Sequence, residues 1–184
     1  MTWVIGASSV FGVGVLVSDV RVSLRNGQRR DMLRKVYALG PYIGLGFAGS
    51  VACGFAIWEV LQSRYSVATP PGKTYEPEAA AVDIQRIARE VFRRQPAAER
   101  DVGCQLLLVG CSFKRDMGWP GATPIAIIRM VAPHFVPHAA KRDLFAALHI
   151  GSGSKVREYK RLVRTYFREP GAQSVCKQAR AGHR

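Results

Sequence analysis

The sequence predicts an α+β protein. Short apolar strands fill the first fifty residues, two helical stretches follow, and apolar strands then return before a last basic helix. The runs Cys104–Gly110 and Ile125–Val131 are apolar but for Gln105 and Arg129, as strands covered on both faces require. The chain has 184 residues, 48% apolar and 22% charged, which is enough to bury a sizeable core. Every apolar stretch is interrupted before eighteen residues accumulate, so no membrane span is expected. The first residues carry no basic segment and no cleavage site of a secretory leader, and a cytoplasmic location is expected.

Trp3–Ala7 and Val13–Val17 read as the first two strands, joined by a hairpin over Ser8–Gly12. A polar loop with an Asn26-Gly27 turn follows. Lys35–Leu39 and Tyr42–Phe47 read as the next pair, separated by Gly40-Pro41. Ser50 is placed to cap a helix running to about Arg64, with Val51, Phe55, Trp58 and Leu61 near one face. Residues 66–75 contain Pro70, Pro71 and Gly72 and read as a loop. Pro77 suits the first turn of a second helix, which Pro96 limits to about Arg94 and which buries Ile84, Ile87, Ala88 and Val91. Leu144–Ile150 reads as a further strand, Gly151–Ser154 as a tight turn, and Lys155–Arg168 as a basic amphipathic helix.

Four cysteines, Cys53, Cys104, Cys111 and Cys176, and four histidines make no zinc spacing. Pro133 and Pro137 argue against a helix that would bring His134 and His138 onto one face. No metal and no cofactor are expected, and the cysteines read as free thiols.

Thr2 directly follows the initiator methionine. Methionine before a small residue is commonly removed, which leaves a threonine whose hydroxyl is the nucleophile and whose own α-amine is the base. An α-amine titrates at about 7.7–8.0, close to working pH. A nearby lysine lowers that value by like-charge repulsion, and a carboxylate must hold the lysine. Asp19 and Lys35, sixteen positions apart at a strand end and a strand start, fit those two roles.

With those residues the sequence resembles a proteasome-type β-subunit, an N-terminal-nucleophile hydrolase, and in pattern the bacterial relatives HslV and the small bacterial proteasome homologues. The matching stretches are Thr2-Trp3-Val4-Ile5-Gly6, Ser18-Asp19-Val20-Arg21, Lys35-Val36, Gly46-Phe47-Ala48-Gly49-Ser50 and Gly151-Ser152-Gly153, in the family's order, over about residues 2–165. The stretch from Thr2 to Asp19 is one residue longer than usual. The resemblance implies a four-layer αββα fold for residues 1–168, followed by a basic tail over 169–184. It implies Thr2 as nucleophile, Asp19 and Lys35 as its charge partners, Ser152 as the hydroxyl beside the amine, and the Gly46 N–H as oxyanion donor, where a glycine admits the substrate backbone. Val22, Leu33, Tyr37 and Ala48 would line a mainly apolar pocket for the side chain before the cut bond. The family continues after the Gly-Ser-Gly turn with two helices and closing strands. Only one helix is legible here, so the C-terminal part is expected to be short or divergent.

The function implied is a threonine peptidase acting on peptides or unfolded proteins, assembled as homo-oligomeric stacked rings of six or seven subunits, with an ATP-driven unfoldase as a natural partner. The alternative is a proteasome-like scaffold with little or no hydrolytic activity. A third class comes from charge: 27 Lys and Arg stand against 13 Asp and Glu, a net charge of +14. Nine of those basic residues fall in 151–184, yet no nucleic-acid-binding motif accompanies them. A solvated or subunit-facing basic surface is the favoured reading.

Overall fold

The computed structural model describes residues 2–8, 13–23, 27–67, 76–112, 124–141 and 146–168. Residues 9–12 of the expected hairpin loop, the Asn26 position of the polar turn, most of the 66–75 loop, the start of the strand expected at Leu144, and the 169–184 tail lie outside these residues; Ser8 is the last residue of β1.

Three strands form one sheet in the order β10-β1-β2: β1 (Val4–Ser8), β2 (Gly14–Ser18) and β10 (Ala147–Ile150). Five form the other in the order β5-β6-β7-β8-β9: β5 (Val36–Gly40), β6 (Ile43–Gly49), β7 (Cys104–Cys111), β8 (Ile125–Val131) and β9 (His138–Ala139). All neighbouring strands in both sheets are antiparallel. A separate ribbon pairs β3 (Arg21–Ser23) with β4 (Arg29–Asp31) where a plain polar loop was expected, and Arg21 and Asp31 form an exposed ion pair across it.

Alternation along β7 and β8 sorts the core into layers. Leu107, Val109, Ile125 and Ile127 point to the three-stranded sheet and pack with Val4, Ala48 and Ile150. Leu106, Leu108, Ala126, Ile128 and Met130 point the other way, under α1 (Val51–Val67) and α2 (Pro77–Arg94). Cys53, Ile57, Leu61 and Tyr65 form the buried stripe of α1, and Ile84, Ala88 and Phe92 that of α2. Ser50 Oγ accepts the N–H of Cys53 at 3.1 Å, the expected cap of α1. A short helix α3 (Ala97–Val102), absent from the expectation, links α2 to β7 and buries none of its residues.

On the outer face of the three-stranded sheet, Trp3, Ile5, Ala7 and Ala147 form a third cluster. Trp3 stacks on Tyr159 of α4 (Arg157–Arg168), with ring centroids 4.3 Å apart. The order of layers is therefore helices, sheet, sheet, helix. Ser152–Lys155, expected as a tight turn, forms one turn of 3₁₀ helix before α4. Exposed arginines and lysines sit on both outer helical layers, Arg86, Arg93 and Arg94 on α2 and Arg157, Lys160 and Arg161 on α4. No helix among the described residues is long and apolar enough to cross a membrane.

Candidate active site

The residues singled out from sequence come from five separate segments, and the sandwich brings most of them to one end. Thr2 enters β1, whose pairing with β2 extends past its first residue: the Asp19 N–H donates to the Trp3 carbonyl at 3.0 Å, and the Trp3 N–H donates to Asp19 Oδ2 at 3.1 Å. Asp19 is thereby locked to the residue after Thr2. Its other oxygen, Oδ1, receives Lys35 Nζ at 2.5 Å. The same ammonium donates to the Arg21 carbonyl. Only 2% of the Lys35 side chain is exposed, against 30% for Asp19. A carboxylate and a carbonyl thus stand in for the water that this buried side chain lacks.

The turn after β10 closes over Thr2. The Thr2 N–H donates to Ser152 Oγ at 2.9 Å, and the Gly153 N–H donates to the Thr2 carbonyl at 3.0 Å. Gly151 makes this approach possible. Its φ is +89°, and a Cβ at this position would lie 2.3 Å from the Thr2 carbonyl oxygen and 3.2 Å from the Ala48 Cβ. Ala48 therefore abuts the Thr2 entry from the other sheet.

Gly46 does not have the surroundings expected for an oxyanion donor. The Phe47 N–H donates to the carbonyl of Lys35, the residue just before β5, at 3.0 Å. Strand alternation then aims the Gly46 N–H the opposite way, toward β7, where Gly46 pairs with Leu107. The space that its missing side chain leaves is filled by Val4 Cγ1, 2.7 Å from where a Cβ would sit. Glycine at 46 thus serves the approach of the two sheets. The same alternation turns the Gly49 N–H toward the β5 side, beyond the first residue of β5, at an exposed position with φ +101°.

The four expected pocket residues do not share a wall. Tyr37 faces the helices, stacked on Trp58 with centroids 4.6 Å apart and on Phe47 at 6.3 Å. Ala48 faces the opposite sheet, in the inter-sheet core. Leu33 is half-buried and its N–H donates to the Val20 carbonyl. Val22 pairs with Arg30 in the ribbon, and its side chain lies outside the described set. On the Tyr37 side, the aromatic neighbours Phe47 and Phe55 were not placed beside Tyr37 from sequence, although alternation along β6 puts Phe47 there.

Gln105 was also missed. Its Oε1 accepts the Gly151 N–H at 3.1 Å. The signal available was a single polar residue in the apolar run Cys104-Gln105-Leu106-Leu107-Leu108-Val109. Among the described residues, no three His, Cys, Asp or Glu side chains converge as a metal cage. Among the described thiols, burial pushes those of Cys53, Cys104 and Cys111 up.

No protein-family model and no curated protein matches the chain. Solved structures do. The Anbu complex from Pseudomonas aeruginosa, described as a helical assembly, superposes with a TM-score of 0.65 at 19% identity, covering 94% of this chain and 70% of that one. Anbu, the ancestral beta-subunit, from Yersinia bercovieri superposes at 0.62 with 20% identity, covering 82% of this chain and 61% of that one. The chain thus spans about two thirds of the length of these neighbours. The likeness corrects the resemblance to HslV and the small bacterial proteasome homologues read from the motifs: the structures it matches are those of Anbu. The layers and these superpositions together give the chain the proteasome-like fold of N-terminal-nucleophile hydrolases.

Proposed function

We propose that the chain is a threonine-type peptidase whose nucleophile is Thr2 after loss of Met1. The observation that carries this reading is the placement of the Thr2 nitrogen, 2.9 Å from Ser152 Oγ and one residue from Trp3, whose N–H donates to the same Asp19 carboxylate that holds buried Lys35. Once Met1 is gone, that nitrogen is an α-amine. It takes the Thr2 hydroxyl proton, directly or through a water, as Oγ attacks the substrate carbonyl. The Lys35 charge favours the neutral amine needed as base, and Asp19 holds that charge in place. The tetrahedral oxyanion is met by the Gly49 N–H, a preformed dipole at the end of β6. The amine then returns the proton to the leaving nitrogen as the C–N bond breaks, leaving an ester on Thr2. Water hydrolyses the ester by the same proton route.

Peptides and unfolded polypeptides are the substrates that fit an extended backbone laid along the Gly49 end of the sheet. The protein acts as a homo-oligomer in the cytoplasm. The neighbour from Pseudomonas aeruginosa supports an open helical array of subunits over a closed stacked ring. An ATP-driven unfoldase would deliver folded substrates. The test is peptide turnover by the wild type and by Thr2→Ala. The peptidase reading expects turnover in the first and its loss in the second. Equal turnover overturns the threonine mechanism, and no turnover in either favours the scaffold.

A further inference from the structure

The inner face of β7 is apolar except at one position. Gln105, Leu107 and Val109 alternate onto the side that meets the three-stranded sheet, and Leu107 and Val109 are buried. Half-buried Gln105 sits in line with them. An amide in such a row gives up part of its hydration and needs a partner in return. That partner is the Gly151 N–H, at 3.1 Å. Gly151 is itself buried, so this N–H would otherwise have little access to water. It opens the turn that grips Thr2 through the Gly153 N–H on the Thr2 carbonyl and through Ser152 Oγ, which accepts the Thr2 N–H and also reaches the Thr2 carbonyl at 3.5 Å. Gln105 belongs to the five-stranded sheet, and this turn leaves the end of the three-stranded one.

We propose that Gln105 is a positioning residue: its amide oxygen fixes the Gly151–Gly153 turn and through it sets Ser152 Oγ against the Thr2 nitrogen. The kinetic half of this inference rests on Thr2 being the nucleophile; the structural half does not. Gln105→Met keeps the side-chain length and removes the amide oxygen, whereas Gln105→Glu keeps an oxygen acceptor. Two quantities are read on the full-length protein: hydrogen exchange at the Gly151 amide, and the rate of covalent labelling of Thr2 by a peptide epoxyketone, with reversible binding separated from the bond-forming step.

In Gln105→Met, Gly151 exchange is expected to accelerate at least about ten-fold. Labelling is expected to slow by about 10- to 100-fold, in the bond-forming step and not in binding. Gln105→Glu should restore both toward wild type. Should Gln105→Met fail to fold, Gln105→Ala is read in its place. Unchanged Gly151 exchange without the amide, or a Glu variant as impaired as the Met variant, overturns the proposal. A normal labelling rate in Gln105→Met does the same. If the wild type takes no label on Thr2 while Gly151 exchange still responds to Gln105→Met, the peptidase reading fails and the holding role stands.

Discussion

Ser152 Oγ lies 2.9 Å from the nitrogen of Thr2, 150 positions earlier in the chain. This contact exists because β10 and β1 pair side by side, with Ile150 opposite Val4, so that the chain leaving β10 folds back over the residue entering β1. Its cost in loop-closure entropy is met by the whole sandwich and not by the contact itself.

Gly151→Ala tests how tight that fold-back is. The new Cβ would lie 2.3 Å from the Thr2 carbonyl oxygen, at a φ of +89° that a side chain rarely adopts. A destabilisation of roughly 1–3 kcal/mol is expected. Urea unfolding measures it, with loss of the Thr2-directed reaction beyond what unfolding explains.

Asp19→Asn should be more damaging than removal of both charges. It leaves the Lys35 ammonium, 2% exposed, without its carboxylate. Breaking a buried pair from one side costs about 3–5 kcal/mol. Lys35→Met on the Asp19→Asn background should recover much of that stability while leaving the peptidase inactive. Denaturant midpoints for the single and double variants check the ordering.

The inter-sheet core carries the site. Leu107→Ala opens a cavity in the inter-sheet cluster that Leu107 shares with Val4, Ala48 and Ile150. A loss of about 2–5 kcal/mol is expected. Calorimetry reads it as a lower thermal midpoint.

Thiol chemistry gives the pH prediction. Burial raises Cys104 first, with the charge of nearby Cys53 adding to it, and burial raises Cys53 as well. Both stay protonated in the folded protein where an unfolded thiol, at about 8.5, has begun to ionise. The stability they favour is therefore fully present below that range and lost as pH rises through it toward the folded values. Unfolding midpoints should fall above about pH 9, and mass-resolved alkylation at pH 8 should spare Cys53 and Cys104 until the protein unfolds. Labelling of either at the rate of an unfolded thiol contradicts this.

Much of this architecture was legible in the sequence because its elements announce themselves locally. The α2 bounds follow from Pro77 and Pro96, and β7 and β8 from apolar runs interrupted only by Gln105 and Arg129. The β3–β4 ribbon was not legible, since Arg21–Ser23 and Arg29–Asp31 carry no apolar alternation and pair through backbone and charge. Helix α3 buries nothing and so lacks a stripe to read. Within the site, residue types pointed to Thr2, Asp19 and Lys35, and the family resemblance added Ser152. The direction of a backbone N–H could not be read that way. Whether Gly46 or Gly49 faces the substrate depends on which neighbour Phe47 bonds, a fact of sheet register. The opposed faces of Tyr37 and Ala48 are hidden for the same reason.

The central claim is that Thr2 is an N-terminal nucleophile, and intact-protein mass spectrometry before and after exposure to a peptide epoxyketone tests it most directly, because that reagent requires a hydroxyl and a free α-amine on one residue. The account predicts a mass lacking Met1, then a single covalent adduct that peptide mapping places on Thr2 and that Thr2→Ala abolishes. Retained Met1, or no adduct on a chain that begins at Thr2, would contradict it.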